Sequence, residues 1–221
     1  MMTNLFSTFD PSTSVKLSLN WLSMFMYMII MPATYWVTKS RITVIMDLII
    51  NSLYKEFKMI ANNSKNMSIA PMSMFLIIMM TNMMGILPYI FTSTSHLSIT
   101  MSMALPMWMS FMLFGWMNNF NKMFEHMIPE GTPAILMPFM VIIETVSNLI
   151  RPGSLSVRLM ANMVAGHLLM SMLGSCANKY YMVLPVIMML QITLMMFETA
   201  VAMVQAYVFS VLTTLYSSEV V

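Results

Sequence analysis

Long apolar runs, separated by short polar stretches, follow one another along the 221-residue chain. A membrane helix needs about 20 apolar residues. The runs of sufficient length occupy, in chain order, residues 17–37, 71–91, 97–117, 134–175 and 180–216. The short alternating segments of a membrane β-barrel are missing from the sequence. The pattern therefore predicts an all-α membrane protein with about five membrane helices in a single membrane domain.

Residues 41–62 follow a different pattern from the five apolar runs. Polar residues recur there at steps of three or four, and apolar residues, among them Ile45, Leu48 and Phe57, lie between them. The polar positions are Asp47, Asn51, Lys55, Lys58 and Asn62. This spacing predicts an amphipathic helix that lies on the membrane surface. A soluble helix covered by a partner protein is the alternative. Residues 118–133 are polar and contain turn residues, which predicts a loop.

Basic residues in the short loops indicate the orientation of the chain. The loop at 38–70 contains five lysine and arginine residues, whereas the loop at 92–96 has no Lys or Arg. Basic loops stay on the cytoplasmic or matrix side of a membrane. We therefore expect loop 38–70 on that side, the N-terminus on the opposite side, and the C-terminus inside after five spans.

The composition supports a membrane protein and excludes several other classes. The chain is 59% hydrophobic and 8% charged, with a mean hydropathy of +0.78, whereas soluble domains average about 25% charged residues. The net charge of +2 is spread out, so no nucleic-acid partner is expected. Cys176 is the single cysteine, and the three histidines lie far apart. We therefore expect no disulfide within the chain, no metal site and no cofactor.

Charged residues inside the spans are confined to the last two apolar runs. They are Glu144, Arg151, Arg158 and Glu198. Ionisable residues at membrane depth usually face a bundle interior or a water cavity, and they mark ion pathways. Glu144, Arg151 and Arg158 are spaced by seven, so they share one face of a helix. A purely structural ion pair would explain Glu144 and Arg151 equally well.

Arg158 is harder to explain by local pairing. No acidic residue lies three or four positions away, and an arginine at a helix centre costs about 2.5 to 17 kcal/mol. Ser154, Ala161 and Ala165 lie on the same side of the helix, and small residues allow another helix to approach closely. This pattern predicts a partner on another helix or chain. His167 lies on roughly the opposite side, where a satisfied interior histidine is the simpler interpretation.

The run at 134–175 is too long for a single upright helix. Residues 134–173 in one helix would extend about 60 Å, whereas the hydrocarbon core is about 30 Å thick. Either the helix tilts steeply, or the chain turns back at Arg151-Pro152-Gly153-Ser154, where Pro-Gly is a turn signal. The residues alone leave both alternatives open.

Three stretches of the chain form a specific set: NMMGILPYIF at 82–91, VIIETVSNLIRPGSLSVRLMANMVAGHLL at 141–169 and FETAVAMVQAYVFSVL at 197–212. Together they resemble the subunit a family of the F-type ATP synthase. Their order and spacing are specific, and the chain looks like a mitochondrially encoded arthropod member. The methionine count of 35 fits an animal mitochondrial code with an extra Met codon. Met160 departs from the pattern, since many members carry Thr at that position.

The resemblance implies a fold and a function. The fold has five membrane helices and a surface helix on the matrix side, and the last two helices form a long, tilted hairpin against a ring of c subunits. The function is that of a non-catalytic, proton-conducting stator subunit of the mitochondrial inner membrane, with two offset half-channels. Its N-terminus would lie in the intermembrane space and its C-terminus in the matrix. The implied partners are the c-ring, b-type and subunit 8-type subunits, the lipid bilayer and protons.

The resemblance also implies roles for individual residues. Arg158 matches the arginine that faces the ring carboxylate and separates the half-channels. Other polar residues complete the expected path: Asn162 and Gln205 near Arg158, His167 and Glu198 in the half-channel open to the intermembrane space, and Glu144 in the matrix half-channel. Because arginine does not deprotonate in proteins, Arg158 is expected to act as a fixed charge that lowers the pKa of a c-ring carboxylate.

Two other function classes remain open from the residues. In an assembly or scaffold subunit, the membrane charges would only pair with neighbouring chains. A secondary transporter would show an internal repeat between its halves, and the sequence shows none.

Overall fold

The computed structural model describes residues 5–14, 17–32, 37–61, 68–128, 133, 135–179 and 181–220. Within these ranges the regular structure is helical, without strands. The α-helices are α1 (Met26–Ile30), α2 (Arg41–Ile60), α3 (Ile69–Ile86), α4 (Leu97–Asn118), α5 (Phe120–His126), α6 (Met137–Lys179) and α7 (Leu184–Val220). Among the described residues, α3, α4, α6 and α7 are long and apolar enough to cross a membrane. The prediction of an all-α membrane protein is confirmed.

The first apolar run forms a shorter helix than the expected span at 17–37. A 3₁₀ segment at Leu19–Phe25 continues directly into α1, and together they form an apolar helix at Leu19–Ile30. Met31 is extended, with φ −62° and ψ 117°. The residue before a proline is disfavoured in helical conformation, so Pro32 explains why the helix stops there. Residues 33–36 of this run lie outside the described residues.

Helix α2 docks on the bundle through its C-terminal half. Its first turn is capped by Ser40, whose Oγ accepts a hydrogen bond from the Thr43 N–H at 3.3 Å. Near its other end, the fully buried Phe57 ring packs against Phe75 of α3 and Tyr207 of α7, both at 6.4 Å between centroids. Ile45, Leu48 and other apolar side chains stay exposed, as a surface helix in contact with lipid requires. The predicted polar position Asn62 lies outside the described residues.

The four long helices form one bundle with a shared apolar core. Helix α3 packs on α7, α4 packs on α6, and α6 packs on α7. The core contains Phe75 and Ile78 from α3, Leu155 and Leu159 from α6, and Phe209 from α7. The apolar residues at the N-terminal part of α6 instead remain exposed, including Ile142, Ile143, Val146, Leu149 and Ile150. A surface of this kind suits lipid or another membrane protein.

Helix α6 runs without interruption through Pro152 for 43 residues, so the chain does not turn back at the Pro-Gly pair. A helix of this length extends about 65 Å, roughly twice the hydrocarbon thickness. Pro152 is buried, and the next turn is anchored on α4, where the Ser156 Oγ lies 2.9 Å from the Met101 Sδ. Packing against α4 therefore holds the chain helical across a local turn signal, as tertiary context often does.

The loop predicted at 118–133 is wrong in its first half, since Phe120–His126 forms the short helix α5. The reason lies in aromatic packing at helical spacing. Phe120 and Phe124 contact each other edge to face at 4.8 Å, and both rings contact Trp116 at the end of α4. Aromatic pairs in this geometry stabilise a turn by about 0.5 to 1.5 kcal/mol each.

Candidate functional site

A pocket of about 360 Å³ lies between α3, α6 and α7. Four of the six residues predicted for the site contribute to its lining: Asn162, His167, Glu198 and Gln205. The volume has room for several water molecules, each of which occupies about 30 Å³ in the liquid. The structure therefore brings polar groups from α6 and α7 around one space.

His167 and Glu198 each place a buried polar atom in this pocket. Nε2 of His167 and Oε1 of Glu198 are buried and have no hydrogen-bond partner among the described residues. The backbone of Gly85, near the end of α3, lies beside the imidazole. Buried polar atoms are normally hydrogen-bonded to protein or to ordered water, so these two atoms mark a place where water or a proton carrier fits.

Gly166 makes room for the Glu198 carboxylate. A Cβ atom at this position would lie 2.5 Å from Oε1 of Glu198. Real Cβ atoms essentially never come within 3.0 Å of a neighbouring heavy atom of this kind. The glycine therefore allows the α7 carboxylate to approach the α6 backbone directly beside His167. Gly153 on the same helix faces open space, with nothing within 4 Å of its Cβ position.

Asn82 is a residue of this site that the sequence reasoning missed. It lies on α3 and is 1% exposed, it lines the pocket, and its Oδ1 has no hydrogen-bond partner among the described residues. Its signal was present, because Asn82 is a polar residue within an apolar span and opens the motif NMMGILPYIF.

Arg158 lies outside the pocket, on the outer surface of α6. Its side chain is exposed, and so are Ser154, Ala161 and Ala165 on the same face. Within the part of the chain that the structure describes, no carboxylate comes within 4 Å of its guanidinium. Arg158 thus occupies an outward-facing strip of small residues, where another helix can approach closely.

Glu144 lies away from the other predicted residues, near the start of α6. Its Oε1 is 3.5 Å from Nη2 of Arg151, and the Arg151 guanidinium lies 5.1 Å above the Tyr216 ring of α7. At 1.5 Å per residue, Glu144 is about 21 Å below Arg158 along the helix, and His167 is about 14 Å above it. The structure therefore separates the predicted residues into two polar regions, with Arg158 between them.

Comparison with known proteins places this geometry in a family. Residues 17–218 match the family model described as ATP synthase A chain. This chain is 53% identical to proteins named ATP synthase subunit a from Aedes aegypti, Drosophila melanogaster and Locusta migratoria. Each alignment covers the full length of this chain and of the relative. The chain belongs to the ATP synthase subunit a family. The resemblance seen in the sequence is confirmed.

Membership of the subunit a family establishes the setting of the site. Subunit a is the proton-translocating subunit of ATP synthase, so this chain is a membrane subunit that works together with other subunits of the complex. Its membrane-spanning helices and its mitochondrial relatives place it in the inner mitochondrial membrane as a multi-pass protein. The pocket and the outward-facing arginine are therefore features of a proton-translocating subunit.

Proposed function

We propose that this chain is the non-catalytic, proton-conducting stator subunit of ATP synthase. Two offset half-channels deliver protons to and from the carboxylates of a c-ring, and Arg158 separates them. The observation that carries the proposal is the separation of the polar groups into two regions, with an exposed arginine between them on the outer face of α6.

The half-channel open to the intermembrane space uses the pocket between α3, α6 and α7. His167 and Glu198 exchange protons there, since both present a buried atom without a protein partner. Asn162 and Gln205 line the same pocket and lead from this pair toward the outer face of α6. Asn82 adds a third amide from α3. Amide side chains both donate and accept hydrogen bonds, so they can support a chain of water molecules.

The matrix half-channel lies at the other end of α6. Glu144 is its carboxylate, and its Oε1 lies 3.5 Å from Nη2 of Arg151. One turn further on, the buried Oδ1 of Asn148 has no hydrogen-bond partner among the described residues. Glu144, Asn148 and Arg151 thus follow one another along α6 toward Arg158, and none of them lines the pocket around His167.

Arg158 acts as a fixed positive charge between the two half-channels. It cannot give up its proton, so it does not relay one. It favours the ionised form of a c-ring carboxylate that comes opposite, which promotes release of the carried proton. It also repels a proton that would pass directly from one half-channel to the other. Each proton must therefore travel with the ring and gains about 2.3 kcal/mol per 100 mV of membrane potential.

The proposed partners are those that the family resemblance implies, and the proposed orientation is argued from the basic residues. The c-ring approaches the strip of Ser154, Arg158, Ala161 and Ala165, while the remaining apolar surface contacts lipid and b-type and subunit 8-type subunits. Loop 38–70 carries the excess of basic residues, which places α2 on the matrix side. The N-terminus then lies in the intermembrane space and the C-terminus in the matrix.

Replacement of the α7 carboxylate tests proton conduction against a purely structural role. In Glu198→Gln the side chain keeps its size but can no longer exchange a proton. We expect proton flux per assembled complex to fall at least tenfold, because positioned proton-transfer groups contribute about 10²–10⁴-fold, with assembly close to normal. The control is Glu125→Gln on α5, which removes an exposed carboxylate that lines neither pocket nor cavity and should leave flux unchanged.

Flux and complex yield are measured on the same membranes, by dye-detected proton uptake and by quantification of the intact complex. A scaffold role predicts the reverse pattern, with reduced yield and normal flux in each complex that assembles. That result would reject the proposed half-channel.

A further inference from the structure

The N-terminal segment lies over the His167 side of the bundle. A short 3₁₀ helix at Leu5–Phe9 packs on α6. The edge of the Phe9 ring meets the His167 imidazole, with 6.4 Å between centroids and an interplanar angle of 88°. An edge-to-face contact of this kind restricts the orientation of both rings. The orientation of the pocket histidine therefore depends on a residue near the start of the chain.

A second cavity, of about 590 Å³, lies beneath this N-terminal segment. It is bounded by residues 7–10, Ser12 and Asn20, by residues 86–92 at and after the end of α3, and by α6 and α7. His167 and Glu198 line this cavity as well as the pocket of 360 Å³. The two residues thus stand between an outer space that reaches the N-terminal segment and an inner space that reaches Asn162 and Gln205.

Asp10 brings a carboxylate to the outer side of this cavity. Its side chain is exposed, and Oδ1 accepts a hydrogen bond from the Ser12 N–H at 3.0 Å. The Asn20 amide donates to the Asp10 carbonyl at 3.4 Å and holds the segment against the first apolar helix. The titratable residues that line the cavity are Asp10, Tyr89, His167 and Glu198, and no lysine or arginine is among the described lining residues.

We propose that the N-terminal segment forms the outer mouth of the proton path, with Asp10 as the group that attracts protons and Phe9 as a positioning residue for His167. The inference rests on the proposed function, and it adds the entrance that supplies His167 and Glu198. A fixed negative charge at the mouth of a cleft raises the local concentration of cations and their rate of entry.

The charge state of Asp10 suits this role. The hydrogen bonds from the Ser12 backbone and side chain hold the pKa of Asp10 below its usual range. The carboxylate is therefore ionised at neutral pH and stays ionised into the acidic range, losing its charge only as the pH falls through this lowered pKa. Asp10 acts by electrostatic attraction, and the proton exchange itself takes place at His167 and Glu198.

The first test replaces Asp10 in the complete ATP synthase. Asp10→Asn removes the charge and keeps the side-chain size. We expect proton flux from the intermembrane-space side to fall about twofold at low ionic strength, since charge steering changes entry rates. The difference between Asp10→Asn and the unmodified protein should shrink at high salt. Exposed charges more than about 8 Å apart are already largely screened at about 0.15 M, and higher salt shortens that distance. The difference should also shrink when that side is acidified below the pKa of Asp10. Glu125→Gln is again the charge-matched control.

The second test concerns Phe9. Phe9→Ala removes the ring that contacts His167, and flux per assembled complex should fall severalfold and in the same proportion at low and high salt. The matched control is Phe6→Ala, which removes a ring on the same 3₁₀ helix that is 69% exposed and does not line the cavity. Normal flux in Asp10→Asn and Phe9→Ala would overturn the inference.

Glu198→Gln, measured in the same assay, separates this inference from the proposed function. Suppose that Asp10→Asn and Phe9→Ala conduct protons normally while Glu198→Gln does not. The proposed entrance at the N-terminal segment is then rejected, and the proposed half-channel is retained. If Glu198→Gln conducts normally, the half-channel itself is rejected, and the proposed mouth falls with it.

Discussion

Two polar residues on α6, Arg158 and His167, have opposite surroundings. Arg158 is exposed on an outward-facing strip of small residues, whereas His167 presents a buried Nε2 to a pocket. Their separation by nine positions places them on nearly opposite sides of α6. The sequence could predict this separation, because helical geometry determines which positions share a face. Arg158 therefore lies on the outer surface of the bundle, whereas Nε2 of His167 lies in its interior.

A glycine next to His167 provides a test at this scale. In Gly166→Ala the new Cβ would lie 2.5 Å from Oε1 of Glu198, and the flexible end of the glutamate can move away. We expect the protein to assemble normally but to conduct protons roughly tenfold more slowly, since displacements of about 1 Å are costly for reacting groups.

The matched variant for this test is Gly153→Ala, on the same helix but with open space around the new methyl group. Its flux and yield should equal those of the unmodified protein. Equal flux in the two alanine variants would show that the position of Glu198 does not matter for conduction.

The individual helices show where local sequence signals are overruled. Pro152-Gly153 favours a turn, yet α6 continues because the adjacent residues are buried against α4. The aromatic residues of α5 form a helix in a segment whose polar composition favours a loop. The continuation of α6 depends on contacts with α4, which is distant in the chain. The formation of α5 depends on aromatic rings that pack within neighbouring turns. Periodicity and composition describe a segment by itself, so they could predict the long apolar helices but not these two details.

Helix α2 gives a test at the scale of one element. Its attachment depends on Phe57, which is fully buried against α3 and α7. Phe57→Ala should destabilise the docked helix by about 3 to 5 kcal/mol, as is usual for loss of a buried phenylalanine. The measurement is limited proteolysis of the membrane-bound complex, in which cleavage within residues 41–60 should increase. Met59→Ala serves as the control, since Met59 is 79% exposed. Unchanged protection in Phe57→Ala would mean that other contacts hold α2.

At the scale of the whole molecule, the bundle keeps its two polar regions apart. The pocket around His167 and Glu198 lies toward the N-terminal segment, and the Glu144–Arg151 pair lies toward the end of α7 at Tyr216. From the sequence, the charges of α6 and α7 could be predicted as one group of functional residues. The pocket that gathers four of these polar residues between α3, α6 and α7 could not, because it depends on how three helices pack. Asn82 shows the same limit, since only the packing of α3 brings it to the pocket.

The central claim is that Arg158 keeps the two half-channels apart as a permanent charge. The most direct measurement is proton-driven ATP synthesis per assembled complex in Arg158→Lys, with Arg41→Lys on the exposed start of α2 as the matched control. Lysine keeps the charge but can lose its proton, and it lacks the planar guanidinium. We predict loss of coupled synthesis in Arg158→Lys, with normal assembly, and full activity in Arg41→Lys. Normal proton-driven synthesis in Arg158→Lys would contradict the claim.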